Sequence, residues 1–515
     1  MRSVLVGSLV FVLSLARSLS EGFGLTDESW FLQVVSRVRG TAVLYRDVSY
    51  GATPLAVYLT RPLVHLLGTE ILAVKIVTNA AFAVTVVIID RLARRVGIPA
   101  TQSWLVVCIA ILLARPYGNP PYTPVAMMLF AGAMALALVA VSRAAAASSR
   151  TSPLPIDALA GACAGLSFMA KQNVGALAAG AVLMTALLTD PVRARIRIRC
   201  SLIASAFGAA VLILAAPVVI SGGLPGLWDY GFAGKSAYLR LGRVNYVASL
   251  QHWLDEAQVS SVAGSATALV HGFVLVLPLV VAVVAATRAF GRTPAERCLV
   301  VFAAAATATA YPRWDRFHMG YAVPVHLLTL MTLARPLKEA TSGVGPVRGL
   351  TRWLMPVAIA GLLAAAVASP VAAFADQKHR PSRLPHFRWV LLPGEAEPRL
   401  AAEARRLTEA SQGMPTFILS TEAGFWYLES DLQNPTSFDI PAMSSVGRYG
   451  VSSILHDVST GRVQLVCLVN RPATGEELVE VESFVRTYWQ RGPDAGPCSL
   501  FRQSDRRLPQ ASHAP

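Results

Sequence analysis

The chain has 515 residues, of which 54% are hydrophobic and only 15% charged, with a mean hydropathy of +0.51, and this excludes an ordinary soluble protein in favour of a polytopic membrane protein. The 45 Lys and Arg against 30 Asp and Glu leave a formal charge of +15, but the basic residues lie in short loops between apolar runs, so nucleic acid is not the expected partner; the lipid bilayer is. The six cysteines form no CxxC pair and no cluster with histidine, so neither a zinc site nor a disulfide framework is indicated.

The first apolar run, 3–19, leads into "GLTDESWFLQ" (24–33), where Asp27 and Glu28 stand together at the mouth of a membrane segment. In the long loop 20–70, Trp30, Phe31, Val34, Val35 and Val38 recur at helical spacing opposite Gln33, Ser36 and Arg37. That pattern predicts an amphipathic helix lying on the membrane surface. A polar turn, "YRDVSYGAT", carries Tyr45 and Asp47, and "PLAVYLTRPLVHLLG" (54–68) predicts a second helix that begins at a proline, is interrupted by Pro62 and ends at Gly68. Further apolar runs follow near 71–89, 101–114, 123–142, 156–171, 173–189, 201–221, 266–287, 297–311, 319–335 and 353–374. Helices of roughly 17 to 25 apolar residues cross a bilayer, which makes about eleven spans in all.

Every second loop is basic: Arg91, Arg94 and Arg95; Arg143 and Arg150; Arg193, Arg195, Arg197 and Arg199; Arg288, Arg292 and Arg297; Arg335, Lys338, Arg348 and Arg352. The positive-inside rule places these in the cytoplasm of a plasma (inner) membrane protein, and 20–70, 222–265 and everything after 375 on the outer side. A cleaved signal peptide over the first run is an alternative, but its flank lacks a small-x-small cleavage site. After 375 the composition turns mixed. "RLAAEARRLTEA" (399–410) and "GEELVEVESFVRTYW" (475–489) predict helices, "TFILS" (416–420) and "VQLVCLV" (463–469) buried strands. The expected organisation is an α-helical transmembrane part, 1–374, then an extracytoplasmic α/β domain, 375–500, and a disordered tail, 501–515. Cys467 and Cys498 either pair, as cysteines of an oxidising compartment, or Cys467 is simply a buried strand residue.

Polar groups at the outer ends of spans are the informative set, because charge near a membrane interior is costly. They are Asp27, Glu28 and Asp47; Arg115 and Tyr117 in "ARPYGNPPYT"; Lys171, Gln172 and Asn173 in "FMAKQNVG"; and Arg313, Asp315 and His318 in "YPRWDRFH". Taken singly, each has a bland reading: Lys171 or Arg115 snorkelling to a headgroup, Asp315 paired with neighbouring arginines, Glu28 solvated. Taken jointly, carboxylates with cations on one membrane face describe a place where a base meets a phosphate. No Gly-rich nucleotide loop is visible.

"DESWFLQVVSRVRGTAVLYRDVSYGATPLAVYL" (27–59) resembles the first outer loop of membrane glycosyltransferases with the C-type fold, the superfamily of protein O-mannosyltransferases and aminoarabinose transferases. "FMAKQNVG" and "YPRWDRFHMGYAVP" are similar to Lys-Gln and Pro-Arg-x-Asp-x-x-His stretches of bacterial members, and "YLESDLQNPTSFD" to an Asn-Pro-Thr segment of their C-terminal domains. The resemblance implies a polyprenyl-phosphate sugar donor, a glycan, lipid or protein acceptor hydroxyl, and inversion at the anomeric carbon. It implies Asp27 as base with Glu28 and Asp47 as further catalytic candidates, Lys171, Arg115, Arg313 and His318 on the donor phosphate, and Tyr45, Tyr117, Gln172 and Asp315 orienting the acceptor. The first loop has no Asp-x-Asp, so a divalent metal stays open. The rival reading, a secondary transporter of a polar or anionic solute, lacks the internal repeats and midplane polar sites such proteins carry.

Overall fold

The computed structural model describes residues 1–113, 120–145, 154–190, 192–259, 262–288, 291–341, 359–364, 367, 371–376, 378–469 and 478–503. Among these, five helices are long and apolar enough to cross a membrane: Arg2–Ser20 (α1), Ile71–Arg95 (α4), Tyr122–Ala144 within α6 (Tyr122–Ala145), Gln172–Thr189 (α8) and Arg193–Ile220 (α9). Further helices fill the same bundle, namely α5 (Ala100–Leu113), α7 (Leu154–Phe168), α13 (Val262–Thr287), α14 (Pro294–Ala308) and α16 (Val323–Thr341). The chain is a multi-pass membrane protein. The run expected near 353–374 falls mostly outside the described residues.

Small residues set the closest approaches in the bundle. Gly161 and Gly165 of α7 lie against α9, where a Cβ on Gly161 would come within 2.3 Å of the Ile203 carbonyl oxygen. Helices in a bilayer associate by such contacts, because lipid offers no hydrophobic drive between them. At the basic end of the bundle, Arg193 to Arg199 are the opening turns of α9 and not a loop. Helix propensity of arginine is high, and Arg199, 1% exposed, closes on Asp157 of α7 (2.8 and 3.0 Å) and on Asp190 at the end of α8 (3.4 Å). Arg2 likewise reaches Asp90 of α4 at 2.8 Å, which also accepts from the Ser103 hydroxyl of α5. With Val6 and Val10 buried against Phe82 and Val86, α1 is an integral member of the bundle.

At the other end lie α2 (Asp27–Arg39) and α3 (Leu55–Leu67). α3 runs on through Pro62, which forfeits one backbone hydrogen bond without ending the helix. The apolar face of α2 does not rest on the membrane surface. Trp30, Phe31, Val34 and Val35 are buried in one core with Phe387, Phe425, Trp426 and Leu500 of the C-terminal part. The helix Ala423–Ser430 packs directly on α2, and a Cβ on Gly424 would stand 2.6 Å from the Trp30 Cα. Amphipathicity requires a cover for the apolar stripe; here the cover is protein.

The C-terminal part holds the helices Ala396–Ser411, Ala423–Ser430, Gly450–Ser459 and Val479–Tyr488 and two sheets. β1 (His379–Pro381) and β2 (Leu391–Pro393) form an antiparallel pair. The larger sheet has the order β3-β4-β6-β5, from β3 (Thr416–Leu419), β4 (Leu465–Val469), β5 (Trp489–Ala495) and β6 (Cys498–Gln503), with β3 and β4 parallel and the rest antiparallel. The helix expected to reach 489 stops at Tyr488, where the chain becomes β5, and β6 continues to Gln503, into residues read as tail; 504–515 lie outside the described residues. Cys467 of β4 and Cys498 of β6 form a disulfide with a Cα–Cα distance of 5.4 Å.

Candidate active site

Four chain segments meet at the end of the bundle away from the arginine turns of α9: the start of α2, the start of α6, the turn between α7 and α8, and the stretch 311–320. They are joined by the connection between α9 and α13, which runs through α10 (Leu224–Trp228), a π-helical turn Asp229–Ala233, α11 (Lys235–Leu241) and α12 (Tyr246–Val259). Lys171 sits in the α7–α8 turn. Its ammonium donates to the Thr123 hydroxyl at 3.0 Å and stands 5.6 Å over the Tyr122 ring. Burial, and then the charge of Lys235, pull its pKa down to about 8, against the opposing attraction of Asp27 and Asp315. Lys235 is held down to about 8 by burial, and its ammonium packs over the Tyr238 ring at 5.3 Å and against the bare backbone of Gly51.

Asp27 opens α2 from the exposed side of that helix and lies within electrostatic reach of Lys171 and of the Tyr122 phenol. A carboxylate in the first turn of a helix is favoured by the backbone dipole. Its neighbour Glu28 points the other way. That side chain is 1% exposed, ion-paired with Lys75 of α4 at 3.1 Å, and accepts the Gly24 amide at 2.8 Å. Glu28 therefore ties the start of α2 to the bundle, and this ion pair fixes the direction in which Asp27 points.

Asp315 caps α15 (Arg316–Gly320) by accepting the Phe317 and His318 amides, and its Oδ1 meets His318 Nδ1 at 2.8 Å. Burial works to raise the Asp315 carboxyl, but the bond to His318 and the nearby Arg313, 3.5 Å away, prevail and hold it low. Burial lowers His318, with Lys171 and Arg313 adding to the effect and Asp315 opposing it. The 311–315 stretch is fixed from outside: Val244 donates to the Pro312 carbonyl and Trp314 to the Val244 carbonyl. Gln172 Nε2 donates to the Gly231 carbonyl at 3.0 Å, fastening the π-helical turn to α8.

Two expected residues stand apart from this cluster. Asp47 closes its own turn, accepting the Val43 amide at 2.8 Å and pairing with Arg46, whose hydrogen bond holds the carboxyl below its usual range. Tyr45 is 2% exposed in a left-handed conformation and donates to the Ala52 carbonyl, so it shapes the loop. Arg115 and Tyr117 lie outside the described residues. Lys235, Thr123, Tyr122 and Tyr238 are not among the residues that sequence singles out. A lysine in a loop assigned to the outer face breaks the positive-inside bias, and that signal points to Lys235 as much as to Lys171. Among the described residues no three His, Cys, Asp or Glu side chains gather as a metal-binding set.

No family model and no curated relative matches the amino-acid sequence. Solved structures do match the fold. ArnT, the aminoarabinose transferase from Cupriavidus metallidurans, crystallised with undecaprenyl phosphate, superposes with a TM-score of 0.56 at 10% identity, covering 98% of each chain. Its apo form gives 0.57 at 12% identity over 97% of each chain. The apo oligosaccharyltransferase of Archaeoglobus fulgidus gives 0.53 at 11% identity, covering 99% of this chain and 75% of its own. From first helix to last strand, the chain has the C-type glycosyltransferase fold.

Proposed function

We propose that the protein is a membrane glycosyltransferase that moves a sugar from a polyprenyl-phosphate donor to an acceptor hydroxyl on the outer side of the plasma membrane. The observation that carries this reading is the convergence of one carboxylate, Asp27, with Lys171, Lys235, Arg313 and the Asp315–His318 pair at one end of the bundle, on a fold shared with a transferase that binds undecaprenyl phosphate. Asp27 accepts the proton of the acceptor hydroxyl as that oxygen attacks the anomeric carbon, giving inversion. The carbon–phosphate oxygen bond breaks, and the charge growing on the departing phosphate is met by the Lys171 and Lys235 ammonium groups with Arg313 alongside. Cations fixed before the charge develops cost no reorganisation at the moment of reaction. The acceptor is a glycan, lipid or protein. The outward orientation is supported by the basic inner helix ends and by the Cys467–Cys498 disulfide, a bond of oxidising compartments.

Asp27→Asn tests the assignment. It keeps size and removes the base, so turnover with a panel of polyprenyl-phosphate sugars falls about 10²-fold or more while donor affinity holds. Transfer at the wild-type rate overturns it.

A further inference from the structure

Besides its packing on α2, the C-terminal part grips the connection 229–235 through the 447–448 turn. The Arg448 amide donates to both carboxylate oxygens of Asp229, each at 3.2 Å, and its guanidinium Nε donates to Oδ1 at 3.2 Å. Asp229 is nearly enclosed, its side chain 13% exposed. Gly447 delivers that amide from a left-handed φ of +76°, and a Cβ there would lie 2.3 Å from Asp229 Oδ2. No other residue brings the Arg448 amide so close. On the far side, Gly234 abuts Gly447, where a Cβ would stand 2.5 Å from the Gly447 Cα. Asp229 thus works in both directions: its side chain grips the 447–448 turn, and its carbonyl accepts the Gly234 amide at 2.7 Å, closing the π-helical turn.

Lys235 follows Gly234 directly. Two ammonium groups, those of Lys171 and Lys235, repel each other, and Lys235 is held where it is by the Tyr238 ring, the Gly51 backbone and the strap that carries it. The strap 229–235 is fastened by Gln172 to Gly231 and by the 447–448 turn to Asp229, and is packed further by Tyr230 against Ser437 and Phe438 and by Phe232 on Phe168. π-Helical turns are rare and persist where neighbours hold them.

We propose that the Gly447–Arg448 turn is a positioning element for the outer site: by gripping Asp229 it fixes the strap that sets Lys235 beside Lys171, and so tunes affinity for the phosphate of the lipid donor. The phosphate part of this inference rests on the glycosyltransferase reading; the positioning part does not.

Full-length protein in lipid nanodiscs separates the two. One readout is the rate at which an amine reagent labels Lys235, followed by mass spectrometry; the other is affinity for undecaprenyl phosphate. In Arg448→Ala and Gly447→Ala the labelling rises at least about fivefold as the strap opens, and affinity drops about tenfold, while Arg448→Lys restores part of both. Asp229→Asn, equal in size, gives the same pair of changes and decides the matter if Gly447→Ala does not fold. Labelling within twofold of wild type in Arg448→Ala and Asp229→Asn, at unchanged melting temperature, overturns the proposal. Faster labelling with unaltered undecaprenyl phosphate affinity supports the positioning and overturns the donor reading.

Discussion

The two ends of the bundle use the same side chains to opposite effect. At the basic end the cations of the bundle meet carboxylates: buried Arg199 has Asp157 and Asp190, and half-buried Arg2 has Asp90, which Ser103 also bonds. At the opposite end the balance tips. Among the described residues neither Lys171 nor Lys235 has a salt bridge; one leans on the Thr123 hydroxyl and both on tyrosine rings. Desolvating a charge costs several kcal/mol unless a counter-charge repays it. A neutralised cluster is therefore a structural fastening, whereas a cluster short of negative charge is poised for an anion that arrives from elsewhere. The difference lies in stoichiometry and not in residue type.

That contrast can be broken from either side. The largest effect is expected at the neutralised end. Arg199→Ala strands two buried carboxylates and costs about 3–5 kcal/mol, read as a sharp drop in melting temperature and yield, with undecaprenyl phosphate affinity retained in the fraction that folds. Lys171→Ala behaves in reverse. Removing it relieves repulsion with Lys235, so melting temperature holds or rises, while affinity for undecaprenyl phosphate weakens about 10- to 100-fold, the value of a charge-assisted bond. If Lys171→Ala melts like Arg199→Ala, the outer cluster is one more fastening. The smallest effect is that of pH. Both lysines are drawn down to about 8, by burial first, so they carry their protons at pH 7 and lose them above 8. Raising the pH from 7 to 8, where each lysine falls to about half protonated, then weakens affinity for undecaprenyl phosphate about threefold, and a flat titration between pH 7 and 9 removes the lysines from the phosphate site.

The bundle was legible because apolar runs such as 172–189 carry their own length criterion. The start of α9 was not, since clustered arginines signal which side a loop is on and say nothing about whether the backbone there is helical. The stripe on α2 announced a buried face without naming its cover, which comes from residues almost four hundred positions later. Within the site, Asp27 and Glu28 were found together but could not be told apart: only the partnership of Glu28 with Lys75 divides one as tether and the other as exposed carboxylate. Lys235 hides in a loop without periodicity or motif.

The shared core of α2 and the helix Ala423–Ser430 has a consequence for how the protein is made. Some 380 residues separate the two, so at roughly 5–20 residues per second a ribosome needs about 20–80 s to deliver the second after the first. During that interval Trp30, Phe31 and Val34 lack their native cover, and the bilayer surface is the apolar neighbour within reach. A chain cut short before residue 423 lacks the side chains that bury Trp30, Phe31 and Val34, the face of the helix that Asp27 opens.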